Sequence, residues 1–256
     1  MSYCDQLDKP IETTMYGLQK WRKSKFKKLG WMFLAMHKHN LIKNVQQYHC
    51  GLVRLRDSLV AKKVSLSDAY KKDDIEILLS DVDILINFCS NNIMGGSFNL
   101  MGINPLDITT IDPRFPLDSI DVTTCGLCGW YKHCFEKLGW MLLAKYKYKL
   151  LGKIDHYYYG LIILAKSIKT KHDKLSSYGE TDKVRDFKIM LENVIMLVNF
   201  VNATLMKNGS MSGGRRRTSK KTMAKTMAKT MSAPRKASKR GSKRGSKKMS
   251  RIVMDY

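Results

Sequence analysis

Several ingredients are scarce in this chain, and each scarcity excludes something. No apolar run approaches the roughly 20 residues that cross a bilayer, so no membrane-spanning helix is predicted. Met1–Pro10 carries Asp5, Asp8 and Lys9 without an apolar stretch, unlike a secretory signal, and the expectation is a protein that is not secreted. Six cysteines without such a signal point to a reducing compartment rather than a disulfide scaffold. Only five prolines occur in 256 residues, and three of them, Pro105, Pro113 and Pro116, share one stretch. No Ser/His/Asp set, glycine-rich phosphate loop or paired carboxylate recurs along the chain. The expectation is therefore a protein that is not an enzyme, with no catalytic residue, no cofactor and no metal.

What the chain does contain, it writes twice. Lys28-Leu29-Gly30-Trp31-Met32 returns letter for letter as Lys137-Leu138-Gly139-Trp140-Met141, 109 residues later. Residues 17–62 align with 126–171 without a gap, and 20 of the 46 positions are identical. After a three-residue slip, 73–88 align with 185–200 at an offset of 112. Two copies are too few for a solenoid, so the pattern is a tandem duplication of one small unit.

Within each copy the apolar period is helical three times. Helices are predicted over about 18–39, 41–63 and 73–93, with counterparts in the second copy. The second helix has the cleanest stripe, Leu41, Val45, Tyr48, Leu52, Leu55 and Leu59, matched by Leu150, Ile154, Tyr157, Leu161, Leu164 and Ile168. Asp73 and Thr181 are the expected N-caps of the third helices. The fold class predicted is all-α: two tandem three-helix units joined by a Pro/Asp-containing linker, with a disordered basic C-terminal tail. The divisions are an N-terminal arm (1–15), unit one (16–93), the linker (94–124), unit two (125–208) and the tail (209–256). The linker's apolar residues, from Ile103 to Ile120, are enough for it to lie along a surface.

The first helix is apolar on more than one side, which signals burial on more than one side. A glycine inside a helix costs about 1 kcal/mol relative to alanine. Gly30 and Gly139 at the same place in both copies therefore predict close approach of another helix. Trp31 and Trp140 are the protein-contact candidates. They either complete their own unit's core or meet at a seam between units or with a partner.

The net charge of +24 is concentrated in the tail, where sixteen Lys/Arg face one acid, Asp255. Such a segment has too little apolar surface to offset its ordering entropy. Clustered cations neutralise phosphates and release counterions without reading sequence. The candidate nucleic-acid-binding residues are Arg215, Arg216, Arg217, Lys220, Lys221, Lys225, Lys229, Arg235, Lys236, Lys239, Arg240, Lys243, Arg244, Lys247 and Lys248. The composition resembles lysine-rich linker-histone tails, which implies nucleic acid, with DNA in front, as the partner. A nuclear-localisation signal, an anionic-lipid contact and a plain spacer are the rival readings. Arg215-Arg216-Arg217-Thr218-Ser219 would suit a basophilic kinase, and each phosphate would remove about 1.5–2 charges.

Cys125-Gly126-Leu127-Cys128, followed by His133 and Cys134, raises a zinc or thiol-redox alternative. A structural zinc site needs a second ligand pair, and Cys4, Cys50 and Cys89 have no matching spacing. The aligned positions in the first copy are Tyr16, Gln19, Ser24 and Lys25, so the shared fold needs no thiol there.

The pattern Phe135-x-Lys137-Leu138-Gly139-Trp140-Met141-x-Leu143-Ala144, then Lys153 and Tyr157, then Asp186-x-x-Ile189 to Phe200, resembles a helical unit of proteins from nucleocytoplasmic large DNA viruses of algae and amoebae. The first copy departs from it in having Asn44 where the second has Lys153. The resemblance covers both units but neither linker nor tail, and it carries no assigned activity. It implies a viral, virion-associated protein located in the particle or in the host cytoplasm or nucleus, with other virion proteins as possible partners. The remaining alternative is a capsid or inner-layer structural protein whose tail is a spacer.

Overall fold

The structure is a computed structural model that describes residues 11–95, 102–109 and 120–206. The described residues are helical and contain no strand. The first copy supplies α1 (Met15–His37), α2 (Ile42–Ser65) and α3 (Ala69–Phe88). The second supplies α4 (Thr124–Tyr146), α5 (Leu151–Ser177) and α6 (Thr181–Val201). Each third helix runs on into a π-helical turn, Cys89–Met94 and Asn202–Met206. The tail, 209–256, and the N-terminal residues 1–10 lie outside the described residues.

Helix starts follow the duplication to the residue. α1 and α4 start and end 109 apart, and α3 and α6 start 112 apart. The slip between those offsets sits at the end of α5, which has 27 residues against 24 in α2. Three extra residues are nearly one helical turn, so they extend the helix without rotating its buried face far.

Capping differs from the expectation. α3 begins at Ala69, capped by Asp68, whose side chain accepts from the Tyr70 and Lys71 N–H groups, while Asp73 sits inside the helix. Nothing in Ala69–Asp73 breaks a helix, so it extends back to the nearest residue that can satisfy its free donors. Thr181 is the first helical residue of α6 rather than its cap, which is Glu180. Thr14 and Thr123 cap α1 and α4 by accepting from Gly17 and Gly126, each at 3.1 Å. The turns after α1 and α4 place Asn40 and Lys149 in the left-handed region, φ 52° and 56°.

The core does not divide between the copies. Its larger cluster draws Phe26, Leu29, Phe33 and Phe88 from the first and Phe135, Leu138, Leu161 and Phe200 from the second. Phe33 meets Phe200 at a centroid distance of 4.2 Å, and Phe88 meets the same ring at 5.8 Å. A smaller cluster of Leu18, Leu55, Leu59, Ile75, Leu78 and Val82 closes the free end of the first copy. The linker segment 102–109 lies on this body, with Pro105 buried, Leu106 and Ile108 against the core, and the Ile108 carbonyl accepting from Lys166.

Two helical stretches, Ala69–Met94 and Thr181–Met206, match the length and mean composition of a membrane span, as the core helices of a folded bundle also do. Here they are the third helices of the two bundles, and each buries a polar side chain, Asp81 and Asn193.

Candidate nucleic-acid interface

The interface is built around the crossing of α1 on α4. A Cβ at Gly30 would overlap the Phe135 carbonyl and lie 2.9 Å from its carbon; one at Gly139 would overlap the Phe26 carbonyl and lie 3.0 Å from its carbon. Two backbones touch, which only glycine permits. The contact is reciprocal, as in an isologous interface, because Phe26 and Phe135 are equivalent positions. Trp31 stacks on Phe135 and Trp140 on Phe26, each at 4.9 Å. The two protein-contact candidates therefore sit on opposite sides of one seam inside the chain, each covering the other copy's phenylalanine.

Polar groups repeat the reciprocity with changed chemistry. Asp81 on α3, fully buried, is ion-paired to Arg22 of its own copy and to Lys147 at the end of α4. The equivalent Asn193 on α6 donates to Tyr131 at 2.7 Å and accepts from Lys38 at the end of α1. Each copy thus lends the other a lysine. At the centre of the crossing the equivalent residues Lys27 and Glu136 pair at 3.2 Å.

Beside this crossing opens a groove of about 450 Å³, lined by Lys20, Lys23, Ser24, Lys27, Lys28, Trp31 and Glu136. Residues 20, 23, 24, 27, 28 and 31 fall on one face of α1 because they are spaced by three and four. Lys20, Lys23 and Lys28 are exposed, and Lys27 is half-exposed. Among the described residues neither Lys20, Lys23 nor Lys28 has an acidic partner within ion-pairing distance. The whole of α1 contains no Asp or Glu, although it carries six Lys/Arg between residues 20 and 28.

The local field is positive. Burial pulls the Lys25 ammonium down to about pH 8, and neighbouring Lys28 pulls in the same direction. Lys25 rests over Trp21 and Tyr48, at 5.0 and 5.8 Å from their centroids. His133 is held below its ordinary value first by burial, then by Lys137 and Lys27, with Glu136 opposing.

Among the described residues the free thiols are divided between exposed and buried positions. Cys125 and Cys128 are exposed free thiols in the first turns of α4, whereas Cys134 is buried and its thiol is pushed up to about 12 by burial. Among the described residues no three His, Cys, Asp or Glu side chains come together as metal ligands. Cys50 is disulfide-bonded, while Cys89, like Cys134, is a buried free thiol.

The tail cations from Arg215 to Lys248 lie outside the described residues. The α1 stripe is the part of the interface that segment-by-segment charge counting passes over. Its signal was present as six cations in nine residues without an acid on the same helix. Comparison with protein-family models, curated proteins and solved structures finds no match.

Proposed function

We propose that this protein binds nucleic acid, with DNA as the favoured form, through phosphate contacts and without reading sequence. The helical body serves as a rigid carrier for the cationic stretch 209–256. The observation that carries this reading is the segregation of charge: sixteen cations against one acid in that stretch. The body adds positive potential of the same sign along α1. The resemblance of the repeated unit to proteins of large DNA viruses makes a packaging role in the virion the natural setting. The layer-protein alternative loses support because Trp31 and Trp140, its best contact candidates, are engaged with Phe135 and Phe26 within the chain.

A salt titration of binding to two unrelated duplexes tests the proposal. Affinity should fall with a log–log slope of roughly 5–8, since each phosphate neutralised on B-DNA contributes about 0.9. The two duplexes should bind alike, because specificity needs base-edge contacts. A chain ending at Asn208 keeps every buried residue among those described, so it should retain its helical signal and lose most of that slope. Equal slopes with and without 209–256 would remove the tail from the mechanism.

A further inference from the structure

We propose that the groove beside the α1–α4 crossing is a second phosphate-binding site, which seats one strand of a nucleic-acid backbone along the outer face of α1. The proposal rests on nucleic acid being the partner, but it assigns contact to the folded body rather than to the tail.

Lys20, Lys23, Lys27 and Lys28 share one face of α1 and span nine residues, about 12 Å of helix axis. Measured along the duplex axis, one strand of B-DNA contributes a phosphate about every 3.4 Å, so three to four phosphates of a strand fall within that length of axis. An ordinary solvated helix face intersperses acids three or four positions from its lysines, since like charges at that spacing destabilise it. Each of the other five helices contains at least one acid, and α1 contains none. The crowding is therefore left without neutralisation from its own helix, and a polyanion would relieve it.

The groove also has a floor and a wall. Trp31, half-buried between the helices and stacked on Phe135, closes the bottom of the groove. Glu136 projects into the same groove and pairs with Lys27. A carboxylate in a phosphate site opposes the ligand, so it fixes the sign of one outcome in advance.

The experiment uses the full chain and a 20-base-pair duplex. Lys20→Gln/Lys23→Gln/Lys28→Gln should lower the salt slope by about 2.7, three contacts at about 0.9 each. Glu136→Gln should do the reverse and tighten binding. Acetylation of lysines on the unsubstituted protein, read by mass spectrometry, should show Lys20, Lys23 and Lys28 protected by duplex, independently of how any variant folds. If the triple variant keeps its helical signal and its slope, and those lysines stay reactive, the groove is not a site and tail-borne binding stands alone. If the full chain binds no duplex, both readings fall. Binding to phosphatidylserine vesicles without binding to duplex would overturn the groove as a nucleic-acid site in favour of a lipid contact.

Discussion

Glycine shows how strongly context decides the effect of one atom. Gly30 and Gly139 have another backbone where their Cβ would be, whereas Gly129 on α4 has nothing within 4 Å of that point. Alanine at an open helical position is better than glycine by up to about 1 kcal/mol. At the crossing the same substitution must push two helices apart, and overpacking a close contact costs about 1–3 kcal/mol. Gly129→Ala should therefore raise the melting temperature, while Gly30→Ala and Gly139→Ala should each lower it. Thermal unfolding of the three variants checks the sign of each. A seam glycine that tolerated alanine without loss would mean that the helices do not touch there.

At the level of helices, the third member of each bundle is tied to the rest through one buried polar group. Asp81 holds α3 to both α1 and α4, through Arg22 and Lys147. Removing the carboxylate leaves two cations facing each other in a partly dry site, and breaking a buried pair this way costs about 3–5 kcal/mol. Asp81→Ala should shift urea unfolding by that amount. Asp81→Asn, which copies what Asn193 does in the second bundle, should cost less. Equal losses for the two substitutions would mean that the charge, not the hydrogen bonding, holds the helices. The helices themselves were legible in the sequence because apolar residues recur every three to four positions and do so twice. Leu52, Leu55 and Leu59 are fully buried as their stripe requires, whereas its first members, Leu41 and Leu150, are exposed because they precede α2 and α5 as N-caps. Their ends were less legible, since Asp68 and Asp73 look alike as caps and only the packed structure decides between them. The close crossing announced itself through paired glycines. The lysine exchange did not, because Lys38 and Lys147 read as ordinary exposed helix-end residues until another bundle is placed beside them.

Across the whole molecule, buried titratable groups should give stability an optimum on the alkaline side. Folded Lys25 holds its proton only to about pH 8, against 10.5 for an ordinary lysine, so between those values the unfolded chain binds more protons and stability rises with pH. Cys89 and Cys134 act in the opposite sense. Their folded thiols stay protonated to about 12 against an ordinary 9.0, so the unfolded chain releases protons first and stability falls above pH 9. Burial raises Tyr48 and Tyr157 as well, which steepens the fall above pH 10. Urea midpoints measured from pH 7 to 11 should climb through 8 and turn over near 9. Lys25→Met, which keeps an apolar stem over Trp21 and Tyr48, should reduce the climb to what buried Lys145, whose ammonium is also lowered by burial, supplies, and leave the descent. A climb undiminished in that variant would assign it to another group.

The reciprocal seam also bears on dilution. Two separate chains joined as α1 joins α4 would dissociate as their concentration fell, and their stability would depend on protomer concentration. Here the partners are covalently linked, so their association is intramolecular and does not depend on chain concentration. Melting of the body should therefore be the same in dilute and concentrated solution. Fusion has a second effect. In a homodimer every substitution is made twice, so a lysine gained on one side appears on the other. In a fused pair the halves can diverge, as Arg22 has from Tyr131, Asp81 from Asn193, Lys20 from Gly129 and Lys27 from Glu136. A cationic strip can then grow along one half alone, without the self-repulsion that a mirrored copy across the seam would bring.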